Sequence, residues 1–171
     1  MAPEVHLDAS LFMGMHTADP SLRAAATAFF ATHLERPVVM TYEEVGRCDD
    51  YVWRFPREVQ DAYYPFMDVL HSLMPIRRRA YDADVLAALP GLPERAPGST
   101  EDLRPRDRLL LASVVAAGGE LVTLNPRLTA LTGLGLPVRT PGPAAARGVF
   151  PADLDKLYEQ SLVLEADHAE L

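Results

Sequence analysis

Four residues have the types and settings to do chemistry together. Asp8 follows the apolar stretch Val5-His6-Leu7, and Glu44 follows Pro37-Val-Val-Met40 by four residues. Asp107 opens the apolar run that ends at Gly118-Gly119, and Asn125 closes Glu120-Leu-Val-Thr-Leu-Asn125. Each stands just after an apolar strand or at the mouth of a helix. In an open α/β sheet those positions converge on one crevice, so side chains far apart in sequence meet there. Hard divalent cations take oxygen ligands, and Mg²⁺ needs only one or two direct carboxylates, keeping waters that further acids orient. A cation so held polarises a phosphoryl oxygen and activates water near neutral pH, the requirement for phosphodiester hydrolysis. Asp8, Glu44 and Asp107 are therefore the candidate metal ligands, with Glu44 alternatively orienting the attacking water. Asn125 completes the catalytic set by positioning water or phosphate, although its amide adds no charge. Glu43 is the alternative second acid.

Each acid has a plainer reading. Glu44 can be the last member of a capping box begun by Thr41, and Asp107 can complement a helix dipole. Asp8 is harder to explain away, because a carboxylate directly after a buried strand needs a partner. Other chemistries find no footing. His6, His16, His33, His71 and His168 form no i, i+4 zinc pair. Ser10, Ser99 and Ser113 lack a nucleophile-elbow context. No glycine-rich phosphate loop is present, and Asp8-Ala-Ser10 lacks the second aspartate of an aspartyl-phosphate enzyme.

The elements that must position these residues follow a strand–helix alternation. Val5–Leu7 and Pro37–Met40 read as buried strands. Between them Asp19-Pro20 starts a helix carried by Leu22, Ala25, Ala26, Phe29, Phe30 and Leu34, with Pro20 at the first helical position. The middle, from Val45 to Leu89, is helical in pattern and interrupted at Pro56, Pro65 and Pro75, each more at home at a helix start than inside one. Its aromatic cluster reads as interior packing or as a base-stacking platform. Pro75-Ile-Arg gives a third strand and Asp82–Leu89 a helix; 90–105 is a proline-rich surface loop. Pro105 then begins a helix with Asp107 in its first turn, Glu120–Thr123 is the fourth strand, and Leu136–Arg139 an edge-like fifth. Such alternation is the grammar of a parallel α/β sheet. We expect one domain over 1–142, then a linker and an acidic C-terminal helix over 143–171 with a frayed end.

Composition narrows the class. At 171 residues, with 49% hydrophobic and 23% charged residues, the chain is ordinary for one globular domain. Its longest apolar run, Leu109 to Gly119, is too short to span a bilayer. The N-terminal residues do not resemble a secretory signal, and a lone cysteine, Cys48, reads as a core thiol. These features predict a cytoplasmic protein, and fifteen arginines against one lysine suggest a GC-rich bacterium. The net charge of −8 speaks against nucleic acid, but −5 of it lies in residues 151–171. Arg104, Arg106 and Arg108 form a local basic cluster able to receive RNA phosphates, as does Arg77-Arg78-Arg79. The acidic helix itself offers a docking or autoinhibitory element.

Val5-His-Leu-Asp8-Ala-Ser-Leu-Phe12, Val38-Val-Met-Thr-Tyr-Glu-Glu44-Val45, Asp107-Arg-Leu-Leu-Leu-Ala-Ser and Leu121-Val-Thr-Leu-Asn125 together resemble the PIN-domain family of metal-dependent nucleases, which includes VapC-like toxins. The resemblance covers roughly residues 4 to 140. It implies a three-layer fold with a parallel five-stranded sheet between helices. It also implies Mg²⁺ or Mn²⁺ at the strand C-termini, an RNA substrate, and possibilities such as an antitoxin partner or a homodimer. Asp8, Glu44 and Asp107 fall on the first three acids of the family's quartet. Asn125 departs from the fourth, where aspartate is usual, and this keeps open a catalytically inactive binding or regulatory module.

Overall fold

The computed structural model describes residues 2–171. In chain order the elements are β1 (Val5–Leu7), α1 (Ala9–Gly14), α2 (Pro20–His33), β2 (Val38–Thr41), α3 (Tyr42–Val52), α4 (Arg57–Leu73), β3 (Ile76–Arg79), α5 (Ala83–Ala88), α6 (Pro105–Ala117), β4 (Glu120–Val122), α7 (Pro126–Thr129), β5 (Val138–Arg139) and α8 (Ala152–Ser161). The five strands form one parallel sheet in the order β3-β2-β1-β4-β5. From the central β1 the chain builds outward through β2 and β3, then returns to β1's other side to add β4 and β5. The β1/β4 junction is therefore the switch point at which an open sheet forms a crevice.

Strand alternation divides the interior in two. Leu7, Val38, Met40 and Val122 face one layer, where they meet α1, α2, α3, α4 and α8 through residues such as Phe12, Phe30, Tyr63, Phe66 and Tyr158. Leu121 and Val138 face the other, packed by Leu110, Leu111 and Val114 of α6 and by Val85 of α5. Helices thus cover both faces of the sheet, an α/β architecture in three layers. Two helix ends are set by local chemistry: Asp19 caps α2 ahead of Pro20, and Gly118 ends α6 at φ 62°, a conformation that favours glycine. Among the described residues no helix is long and apolar enough to cross a membrane.

Two expectations need correction, and a third gains a detail. Pro65 does not interrupt the middle section but sits inside the seventeen-residue α4. Its side of the helix is exposed, so the Asp61 carbonyl it leaves unbonded faces water, while Tyr63, Phe66, Met67 and Leu70 hold the other side in the core. The 90–105 loop runs over the surface yet is pinned by buried Leu92, Ala96 and Leu103. The C-terminal end is not frayed. Phe150, Leu154, Tyr158, Leu164, Ala166 and Leu171 belong to the core that α1 and α4 build, and Ala166 N–H donates to the His16 carbonyl at 2.9 Å. The segment beyond residue 143 is thus built into the same core as the domain it follows. Its acids Asp155 and Glu159 pair with Arg147, not with arginines of the candidate site.

Candidate functional site

Asp8, Glu44, Asp107 and Asn125 are all buried, each at 1% exposure or less. Asp8 leaves β1 and caps α1. Its Oδ1 accepts from the Leu11 N–H at 2.9 Å and the Ser10 hydroxyl at 2.8 Å, and its Oδ2 accepts from the Thr123 hydroxyl. The Leu124 N–H donates to Ser10 Oγ at 3.1 Å, tying the start of α1 to the segment after β4 across the switch point. Burial pushes the Asp8 carboxyl up, while the hydrogen bonds from Thr123, Leu11 and Ser10 and the charge of Arg47 pull it back.

Glu44 comes from the first turn of α3. The Thr41 hydroxyl accepts from the Glu44 N–H at 3.2 Å, so the cap is real, but the Glu44 side chain does not turn back to complete a capping box. It reaches across to α1 instead, accepting the Ala9 N–H on Oε2 at 2.7 Å and Arg47 on Oε1 at 2.8 Å. Burial first, then the neighbouring Asp8 charge, push its carboxyl up to about 7, against the pull of Arg47. Glu43 faces elsewhere and accepts from the Tyr81 hydroxyl at 2.6 Å. Glu44 is therefore the acid that lies beside Asp8.

Asp107 is held from two sides. Its Oδ1 accepts the Asn125 amide at 3.1 Å and its Oδ2 accepts Arg127 Nε at 2.7 Å. The Asn125 carbonyl caps α7, accepting the Arg127 N–H at 3.0 Å. Arg47 is bonded to Glu44 and feels the charges of Asp8 and Asp107 as well. Burial works to lower its pKa, and the charges of Glu44, Asp8 and Asp107 outweigh that effect and leave it raised. Arg106 lies close by, its pKa lowered by burial and by repulsion from Arg47 and Arg104. Arg108 points away, donating to the Leu89 carbonyl at 3.3 Å. Of the three arginines expected to meet phosphate, Arg106 lies within reach of the charges of Arg47, Asp107 and Arg127, and Arg108 is turned to the Leu89 carbonyl. Arg77 pairs with Glu4 and Arg79 with Asp82, so β3's basic run is partly neutralised on its own edge.

The family described as "Family of unknown function (DUF6190)" matches residues 1–171. The chain belongs to DUF6190. No curated protein matches it. Family membership brings no activity with it, so the chemistry of this DUF6190 chain is argued from its site.

The oxygens of Asp8 and Glu44 are of the type a hard divalent cation takes. The two acids repel one another in a buried place where a divalent charge would relieve the repulsion. Asp8 and Glu44 would hold it directly. The outward oxygens of Glu44 and Asp107 are engaged by Arg47 and Arg127, and among the described residues no three His, Cys, Asp or Glu side chains are grouped around one point as ligands.

Four residues of the candidate site escape sequence reasoning: Ser10 and Thr123, which orient Asp8, and Arg47 and Arg127, which pair with Glu44 and Asp107. The available signals were a hydroxyl two residues from each of Asp8 and Asn125, and arginines three residues after Glu44 and two after Asn125. Of the aromatics, Tyr51, Tyr63 and Phe66 are core, whereas Trp53 is exposed.

Proposed function

We propose that this chain is a PIN-like ribonuclease that takes Mg²⁺ or Mn²⁺ at Asp8 and Glu44 and hydrolyses RNA phosphodiesters in the cytoplasm. The observation that carries this reading is the side-by-side burial of two carboxylates, Asp8 at the end of β1 and Glu44 in the first turn of α3, at the sheet's switch point, with buried Asp107 held by Asn125 and Arg127. Burying a carboxylate costs several kcal/mol even when it is paired, as Glu44 and Asp107 are, and Asp8 has no ion pair, so such a group is seldom retained for stability alone. The cation, when bound, supplies the charge that stabilises phosphoryl oxygens and makes water nucleophilic. Ser10, Thr123 and the Leu11 N–H fix the orientation of Asp8. Asp107 holds Arg127 beside the site, and Arg106, with Arg104 next to it in sequence, would extend a positive rim for a phosphate backbone.

The test is cleavage of a labelled single-stranded RNA as Mg²⁺ or Mn²⁺ is added. Cleavage should need the cation and vanish in Asp8→Asn. Absence of cleavage at every cation concentration would overturn the enzyme reading.

One observation favours a second reading, an inactive PIN-like binding or regulatory module. The Asn125 amide donates to Asp107 where a fourth carboxylate would stand, and Arg127 neutralises the same acid. Under that reading RNA is bound but never cut.

A further inference from the structure

We propose that Arg47 is a tethered cation that neutralises the Asp8–Glu44–Asp107 cluster from within and must swing out before a divalent ion can enter. The inference rests on reading those acids as a cation site, and adds that the chain's own guanidinium gates it.

Arg47 follows Glu44 by three residues, so α3 presents both on one face. Its Nη1 donates to Glu44 Oε1 at 2.8 Å, and the charges of Glu44, Asp8 and Asp107 all act on it. Arg127, by contrast, is fastened at the flank, with Asp107 on its Nε and the Leu171 carbonyl on its Nη2. Arg47's other terminal nitrogen is buried without a hydrogen-bond partner. Its hold is therefore made by charge more than by a full set of directed bonds, which leaves it displaceable by a stronger cation. The Arg47 side chain is 13% exposed where that of Glu44 is fully buried, so part of its length reaches solvent although its free terminal nitrogen does not. Charge balance favours the exchange. Arg47 and Arg127 are the two arginines bonded to these acids, +2 against −3, and a divalent ion in place of Arg47 brings that sum to zero.

The test is Mn²⁺ binding, read from the electron paramagnetic resonance of the free ion, for the parent, Arg47→Met and Arg47→Lys. Removing one competing unit charge a few ångströms away should tighten Mn²⁺ binding roughly tenfold or more in Arg47→Met, and much less in Arg47→Lys. Equal or weaker binding by Arg47→Met, with the parent binding, overturns the gate and leaves the cation site standing. Binding by Arg47→Met alone upholds the gate and removes support for a metal-dependent parent enzyme. Binding by neither overturns both. Should Arg47→Met fail to fold, the side-chain ¹⁵Nε signal of Arg47 in the parent decides. Saturating Mg²⁺ should shift and broaden it as the guanidinium leaves Glu44, and a signal unmoved by Mg²⁺ overturns the proposal.

Discussion

Asn125 has both ends of its side chain committed, its amide to Asp107 and its carbonyl to the first turn of α7. An aspartate there would keep the cap but set a carboxylate against Asp107 Oδ1, where an N–H now donates at 3.1 Å. Asn125→Asp should therefore destabilise the cation-free protein by roughly 1–3 kcal/mol. Saturating Mn²⁺ should restore most of that loss, because the added anion also strengthens the donor set. Urea unfolding with and without Mn²⁺ measures both quantities, and a variant as stable as its parent in the absence of metal would show that the two side chains do not meet. A second residue reports on the core rather than the site. His16 lies among Tyr63, Phe66 and Tyr158 with its Nε2 2.8 Å from Ser161 Oγ, and burial pushes its imidazole down to about 3. The folded state thus refuses a proton that the unfolded chain accepts near 6.5, so stability is intact above that pH and falls as pH drops from there toward 3. Between pH 7 and pH 5 this one group should cost about 2 kcal/mol. Urea midpoints of the parent and His16→Asn at the two pH values should show the loss shrinking by about that amount in the variant. His6, likewise held low by burial, keeps a residual slope of the same sign.

The helix α8 carries the element-scale prediction. Its apolar side is covered by α4 and α1: Leu154 and Tyr158 are buried, and the Tyr158 hydroxyl donates to the Met15 carbonyl at 2.6 Å. Phe150, Leu154, Tyr158 and Leu164 together contribute roughly 6–12 kcal/mol of apolar burial, comparable with the ~5–15 kcal/mol that holds a whole domain folded. A chain ending at Gly148 should therefore lose cooperative unfolding, and Leu154→Ala should cost about 2–5 kcal/mol in urea. A truncated chain that still melts sharply would restore the idea of a detachable regulatory helix. The acidic surface of α8 was legible in the sequence, but its packing partner was not, because an amphipathic pattern says that a face is covered without saying by what. The buried strands β1, β2 and β4 were readable for the converse reason: a parallel strand covered on both faces is a short apolar run, and the acids fall where those runs stop. The edge strand β3, Ile-Arg-Arg-Arg, carries that signal only in its first residue. Pro65 misled because a local rule was weighed without the packed face that overrides it. Arg47 and Arg127 were invisible because an arginine a few residues from an acid usually marks an exposed pair, and only the approach of α1 and α6 makes these inward.

On the scale of the whole molecule, the three-layer build brings the ends of β1 and β4 and the starts of α3 and α6 to one place, and the buried charge collected there works against stability. Asp8 is fully buried, is held by hydrogen bonds alone rather than by a direct ion pair, and helps drive Glu44 up to about 7. Asp8→Asn keeps an acceptor for the Leu11 N–H, and the Thr123 hydroxyl can turn to accept from the new amide, so the fold should survive. Without metal this variant should melt at or above the parent, since it removes a buried charge that repels its neighbour. With metal the order should reverse. A cation that binds only the native parent at a hundred times its Kd adds about 2.7 kcal/mol, which for a chain of this size is roughly 5–10 °C in Tm. The Asp8→Asn protein, with one ligand neutral, should show little of that rise. Thermal melts of both proteins across a Mn²⁺ series check the crossing, and a parent whose Tm stays flat through the full titration would rule against a cation at the heart of this sheet.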